Sequence, residues 1–288
     1  MHRILLPVTL PNAALRVVQQ TAFLARHFRS EVILLHVVTP LSYPTGVLES
    51  GHELTARDLH AAVINRAQQD LDQALRPELE GIAVRRLLLR GDPAREIAQL
   101  ARDEKVNLIA MSTHSQSAFY RFLLGSVTAK VLHHCQCPLW TDTHVGPASA
   151  GPVAIRNVLC AVDLSAHSRP TLSSAARIAT EFGARLTLIH ITAGVETYGP
   201  GGPHVVPEWK EAIVSAAVTE IAKLQQDVGT DAEVIIDSGN VLELLNRAAS
   251  QAKSDLLVIG HLPAGGHLGA NGAGYAIIRH SQIPVLSV

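Results

Sequence analysis

Three cysteines in 288 residues, Cys135, Cys137 and Cys160, are too few for a disulfide framework and fit a reducing compartment. Charge of one sign is missing as well. Charged residues make up 17% of the chain and the formal net charge is -1, with no basic stripe, Arg-rich run or acidic tail. That balance excludes the electrostatic footprint by which a protein engages nucleic acid. No apolar run approaches the roughly 20 residues needed to span a bilayer. No charged-then-apolar leader precedes Ile4-Leu5-Leu6-Pro7-Val8. A cytoplasmic protein without membrane or nucleic-acid partners is expected. What the chain does have is apolar content: 47% hydrophobic residues, enough for two cores of ordinary size.

The sequence also says nearly the same thing twice. Arg3-Ile4-Leu5-Leu6-Pro7-Val8-Thr9-Leu10 returns as Asn157-Val158-Leu159-Cys160-Ala161-Val162-Asp163-Leu164. Glu31-Val32-Ile33-Leu34-Leu35-His36-Val37 returns as Arg185-Leu186-Thr187-Leu188-Ile189-His190-Ile191. Gly91-Asp92-Pro93 matches Gly239-Asn240-Val241, and the segment from His134 to Leu139 matches that from His280 to Val285. Order is kept throughout, so a whole domain is duplicated. The period, on the order of 150 residues, is that of a globular domain and not of a solenoid.

Within each repeat, short apolar runs alternate with longer amphipathic stretches. In the first, the runs are Arg3–Val8, Glu31–Val37, Ala83–Leu89, Leu108–Met111 and Leu139–Thr141. Leu15, Val18, Ala22, Ala25 and Phe28 mark one helical face between them; Ile64, Ala67, Leu71 and Leu75 mark another. The second repeat has runs at Val158–Val162, Leu186–Ile191, Ala232–Ile236, Leu256–Ile259 and Val285–Ser287. Strands apolar on both faces and separated by helices imply a parallel sheet covered on both sides. The expected fold is α/β: two Rossmann-like domains, each a five-stranded parallel sheet with helices on both faces. They occupy residues 1–143 and 155–288, with a linker of small residues, Gly and Pro at 144–154. Pro40–Gly51 and Gly194–Pro207 read as long irregular loops.

In an open α/β sheet, ligands bind beyond the carboxyl ends of the strands, where strand order reverses. Val8-Thr9 and Val162-Asp163 close strand one, Val37 and Ile191 lie at the end of strand two, and Met111-Ser112 and Ile259-Gly260 close strand four. After strand four come Ser112-Thr113-His114-Ser115, nine more residues, and then Gly125-Ser126-Val127 opening a helix. Small residues ending at a helix N-terminus offer backbone N–H groups and a positive dipole end, both suited to phosphate.

These tandem βα repeats, the Gly-Asp-Pro turn, the loop after strand four, Leu-Leu-Gly-Ser-Val and the closing Cys-Pro strand resemble the universal stress protein family over essentially the whole chain. The resemblance implies the adenine nucleotide alpha hydrolase-like variant of the Rossmann fold. It implies a stress-response role, and in some members ATP, with Mg²⁺ accompanying it, held by a Gly-x2-Gly-x9-Gly-Ser/Thr loop and an Asp ending strand one. On that pattern, Val8, Thr9, Val37, Met111, Ser112, Ser115, Gly125, Ser126 and Val127 form the candidate site of the first repeat; Val37 flanks the base and Thr9 faces the ribose. Asp163, Ile191 and Gly260 are their counterparts in the second. Each repeat departs from the pattern. Ser112 and Ser115 stand where the early glycines would be, Thr9 replaces the Asp, and in the second repeat Pro263 removes an N–H donor. The resemblance further implies that the last strands, Leu139–Thr141 and Val285–Val288, meet in an intramolecular pseudo-dimer. Further homodimerisation remains open, and no protein partner is named.

Several readings stay side by side. The serine loop either binds nucleotide phosphate or only connects strand to helix. Asp163 either reaches a ribose hydroxyl or Mg²⁺, or caps its own turn through Ser165 or Ser168. His133-His134-Cys135-Gln136-Cys137 has metal-ligand residue types, but neighbouring helical residues point apart, so no metal is expected. His36 and His190, at equivalent strand ends, are expected to make packing contacts or a local hydrogen bond. No Gly-x-Ser-x-Gly elbow, P-loop lysine or His-Glu-x-x-His is present, so no catalytic residue is assigned. The function expected is a stress-response binding or signalling protein using ATP. A nucleotide-free interaction scaffold is the alternative, and ATP hydrolysis is the weakest of the three.

Overall fold

The computed structural model describes residues 1–39, 56–113, 125–142, 153–192, 196–199, 202–205, 207–261 and 273–288. The chain divides into two compact units. One takes in Met1–Cys137; the other takes in Pro152–Val288 and the strand that follows Pro138.

The first unit runs β1 (Arg3–Pro7), α1 (Leu15–Phe28), β2 (Glu31–Val38), α2 (Ala56–Gln73), β3 (Val84–Arg90), α3 (Pro93–Asp103), β4 (Leu108–Ser112) and α4 (Ser126–His134). Its strands lie in the order β4-β1-β2-β3, all parallel. Ile4, Leu5 and Leu6 are consecutive and all buried. Because successive side chains point to opposite faces, such a run requires cover on both sides of the sheet. Helix α1 supplies part of that cover through Val18, Ala22 and Ala25, as its periodicity implies, but Leu15, the first residue of the helix, is exposed. Leu75, expected on the inner face of α2, lies past the helix end with φ of 55°. Between β3 and α3, Gly91 takes φ of 150°, and Asp92 caps the helix by accepting from the Arg95 N–H at 3.0 Å. Only glycine adopts that backbone readily.

The next strand, β5 (Leu139–Asp142), belongs to the second unit, followed by β6 (Asn157–Ala161), α5 (Ser168–Phe182) and β7 (Arg185–Thr192). Then come β8 (Glu196–Gly199), β9 (Gly202–Val205), α6 (Pro207–Val228) and β10 (Glu233–Ser238). The unit ends with α7 (Val241–Gln251), β11 (Leu256–Ile259), α8 (Ala273–His280) and β12 (Val285–Ser287). Strands β10-β7-β6-β11-β12 run parallel. Strand β5 then pairs antiparallel with β12, setting Thr141 opposite Val285, Trp140 opposite Leu286 and Leu139 opposite Ser287. Covering the β12 edge in this way removes an open row of backbone groups. The stretch expected to be an irregular loop from Gly194 to Pro207 instead contains the antiparallel pair β8–β9, with Tyr198 opposite Pro203.

The helix starts repeat the logic of the first unit. Gly239 takes φ of 141°, and the Asn240 side chain accepts from the Glu243 N–H at 3.1 Å. The turn duplicated in the sequence is therefore a helix-capping device in both units.

Candidate functional site

In the first unit the crossovers from β1 to β2 to β3 go one way and β4 lies on the other side of β1, so strand order reverses between β1 and β4. The register pairs Ile4 with Leu108 and Leu5 with Ile109, so Val8 and Ser112 both lie at the carboxyl ends of these neighbouring strands. Val8 is half-buried and donates its N–H to the Leu35 carbonyl at 2.8 Å, and Thr9 beyond it is exposed. Met111 is buried in the end of β4.

Helix α4 is tied to that strand end. The Gly125 N–H donates to the Thr113 carbonyl at 2.7 Å, and the Thr128 hydroxyl donates to the Ser112 carbonyl at 2.9 Å. Gly125 is the N-cap residue and, among the described residues, no side-chain cap hydrogen bond is made, so the first turn at Ser126 and Val127 lies at the carboxyl edge of the sheet. Sequence reasoning misses Thr128, although a hydroxyl in a first turn is the kind of residue that anchors a helix start. Val8, Thr9, Met111, Ser112, Gly125, Ser126 and Val127 are thus brought to one edge, and Val37 adjoins them at the end of β2. Ser115 lies outside the described residues.

Gly125 has φ of -52° and ψ of 131°, a conformation open to any residue. A Cβ there would meet the Thr113 carbonyl oxygen at 3.6 Å and Thr128 Oγ1 at 3.7 Å, ordinary contacts. The fold does not itself demand glycine at this position.

The second unit reverses strand order between β6 and β11, and Asp163 and Gly260 lie at that point. Here both residues serve the local fold. Asp163 Oδ1 accepts from the Ser165 N–H at 3.0 Å and from the Ser168 hydroxyl at 2.9 Å, closing the turn into α5. Partial burial works against its ionisation, but the hydrogen bonds from Ser165 and Ser168 outweigh it and hold the carboxyl below its usual range. A Cβ on Gly260 would come within 3.1 Å of Thr171 Oγ1, so this glycine lets α5 approach β11. Ile191 is half-buried at the end of β7.

The histidines at the strand ends repeat with the same geometry. His36 Nδ1 lies 2.9 Å from the Val8 carbonyl oxygen, and His190 Nδ1 lies 2.8 Å from that of Val162. A carbonyl only accepts, so in each ring Nδ1 carries the proton.

No group of three or more candidate metal ligands occurs among the described residues. Burial pushes the Cys137 thiol up to about 12, with the Cys135 thiol adding to the effect, and Cys137 Sγ lies 3.2 Å from the Val106 carbonyl oxygen. Full burial pushes Cys160 to about 12 as well. Protonated, buried thiols are poor ligands. Among the described residues, no helix is long and apolar enough to cross a membrane.

Comparison with known proteins bears on both repeats. A family model described as the universal stress protein family matches residues 1–141 and again 154–288. A universal stress protein of Methanothermobacter thermautotrophicus is 33% identical over 144 residues, 48% of this chain and 94% of that protein. A universal stress protein of Methanocaldococcus jannaschii is 28% identical over 138 residues, 48% of this chain and 79% of that protein. Among solved structures, a universal stress protein from Archaeoglobus fulgidus superposes with a TM-score of 0.74 at 20% identity, covering 99% of this chain and 97% of that one. That likeness spans both repeats and concerns the fold.

Proposed function

This chain belongs to the universal stress protein family, and on that premise we propose that it is a stress-response binding or signalling protein whose first repeat binds an adenine nucleotide. The observation that carries the proposal is the start of α4, without a side-chain cap among the described residues and tied to the end of β4 at the point where strand order reverses. First-turn N–H groups at such a place suit a polyphosphate, and Gly125 leaves room that the fold does not require it to leave.

In this reading the N–H groups of Ser126 and Val127 and the hydroxyls of Ser112, Ser115 and Ser126 hold the phosphates. Thr9 and Val8 face the ribose, and Val37 flanks the base. Mg²⁺, where it accompanies ATP, offsets phosphate charge. The second repeat takes a supporting role, because Asp163 is engaged with Ser165 and Ser168 and Gly260 is packed against Thr171. Bound nucleotide would bias the conformation or partner choice of the first unit.

The test is calorimetric titration of ATP into the wild-type protein and into Gly125→Val. Micromolar binding to the wild type, lost in the variant while its fold is retained, supports the proposal. No heat with either protein turns the assignment to an interaction scaffold with the strand-four loops as connectors.

A further inference from the structure

The first turn of α4 is held at both of its ends. Gly125 donates its N–H to the Thr113 carbonyl at 2.7 Å, and Thr128, at the other end of the turn, donates its hydroxyl to the Ser112 carbonyl at 2.9 Å. Two consecutive carbonyls at the end of β4 therefore clamp one turn of helix. The first bond within the helix runs from the Ala129 N–H to the Gly125 carbonyl at 3.0 Å. The N–H groups of Ser126, Val127 and Thr128 come before it and have no acceptor inside the helix.

A threonine in a helix ordinarily turns its hydroxyl back on a carbonyl of its own preceding turn. Here the hydroxyl crosses to the neighbouring strand instead. Thr128 is only 3% exposed, too buried to touch a ligand itself. Counting back equally from His134 and from His280, the second repeat has Gly274 in this place. Gly274 is buried near the start of α8, which begins at Ala273, and it has no hydroxyl to offer the end of β11. A glycine there also leaves the turn more backbone freedom.

We propose that Thr128 is a positioning residue for phosphate recognition, and that Gly274 in its place denies the second repeat the same device. This rests on the adenine-nucleotide reading of the first repeat. A polyphosphate gains most from N–H donors that already point together, because less has to be ordered on binding. The two ties fix the ends of the turn that carries those donors. Both use strand carbonyls as acceptors, so neither consumes the N–H of Ser126, Val127 or Thr128. In the same reading the ribose and base meet Val8, Thr9 and Val37, on strands that the Thr128 hydroxyl does not touch. Thr128 therefore acts on the phosphate end of the ligand alone.

Titration of the full-length protein with ATP and with adenosine, which lacks phosphate, tests this through Thr128→Val, a change of similar shape without the hydroxyl. ATP affinity should fall about fivefold, the loss of one net hydrogen bond, while adenosine affinity holds. Thr128→Ser, which keeps the donor, should restore ATP binding. With no ligand present, the Ala129 amide should exchange about fivefold faster in Thr128→Val and at the wild-type rate in Thr128→Ser, because the first turn opens more readily once untied. Unchanged ATP affinity in Thr128→Val, or equal losses for ATP and adenosine, would overturn the proposal. If the wild type binds no ATP, the nucleotide reading fails and the phosphate role fails with it; an Ala129 exchange rate that still follows the hydroxyl then marks Thr128 as an anchor of the fold alone.

Discussion

Single carboxylates in this protein carry more structure than their exposure suggests. The Arg85 side chain bonds Glu104 and, with its charge and that of Arg3, holds the carboxyl below the usual 4.5. The Arg95 N–H does the same for Asp92, and Ser165 and Ser168 for Asp163, both below 3.8. A folded-state value below the unfolded one gives stability that is present above the unfolded pKa and lost as pH falls through the folded value. Thermal unfolding followed downward from neutral pH should therefore show Tm falling once the pH drops below these ordinary carboxylate values. Asp163→Asn keeps an acceptor for Ser165 but removes the ionised group, so it should flatten that acid slope and lower the neutral-pH Tm towards the acid value. An acid slope identical in the variant would remove Asp163 from the account. The sequence allows two roles for this residue, ligand or cap. It does not decide between them, because the choice depends on whether Ser168 turns back towards Asp163, which is a matter of tertiary geometry.

Two glycines that look alike in sequence behave differently at the level of elements. Gly260 brings α5 against β11, where an added Cβ would lie only 3.1 Å from Thr171 Oγ1, whereas the same Cβ on Gly125 has ordinary contacts. Gly260→Val should cost about 1–3 kcal/mol of stability, as overpacking does. Gly125→Val should cost no more than about 1 kcal/mol, the penalty of a poorer N-cap. Chemical denaturation of the pair checks the order, and equal losses would contradict it. The main strands and helices are legible because Ile4-Leu5-Leu6 and Leu256-Leu257-Val258-Ile259 are continuous apolar runs, and Val18, Ala22 and Ala25 keep helical spacing. The hairpin β8–β9 is not, although Tyr198-Gly199-Pro200-Gly201-Gly202 is a turn signal flanked by Thr197 and Val205. Its strands are four residues each, too short for alternation to stand out.

For the whole molecule, the two repeats share a plan, and the proposed site lies in the first. Strand β5 closes the second unit's sheet on β12, with Trp140 buried and opposite Leu286. Trp140→Ala should destabilise the protein by about 3–5 kcal/mol, the usual cost of emptying a buried tryptophan site. A loss below about 1 kcal/mol, on the order of a surface change, would show that β5 is not part of the folded unit. Duplication, fold class and the position of the candidate site can all be read from the sequence, because apolar runs and the βα order fix where strand ends fall. The His36 contact with the Val8 carbonyl cannot, since it depends on how the ends of two strands meet in three dimensions. The central claim is that only the first repeat is a complete nucleotide site. Native mass spectrometry of the intact chain titrated with ATP tests it most directly. The account predicts saturation at one ATP per chain, abolished by Gly125→Val; two per chain, or none, would contradict it.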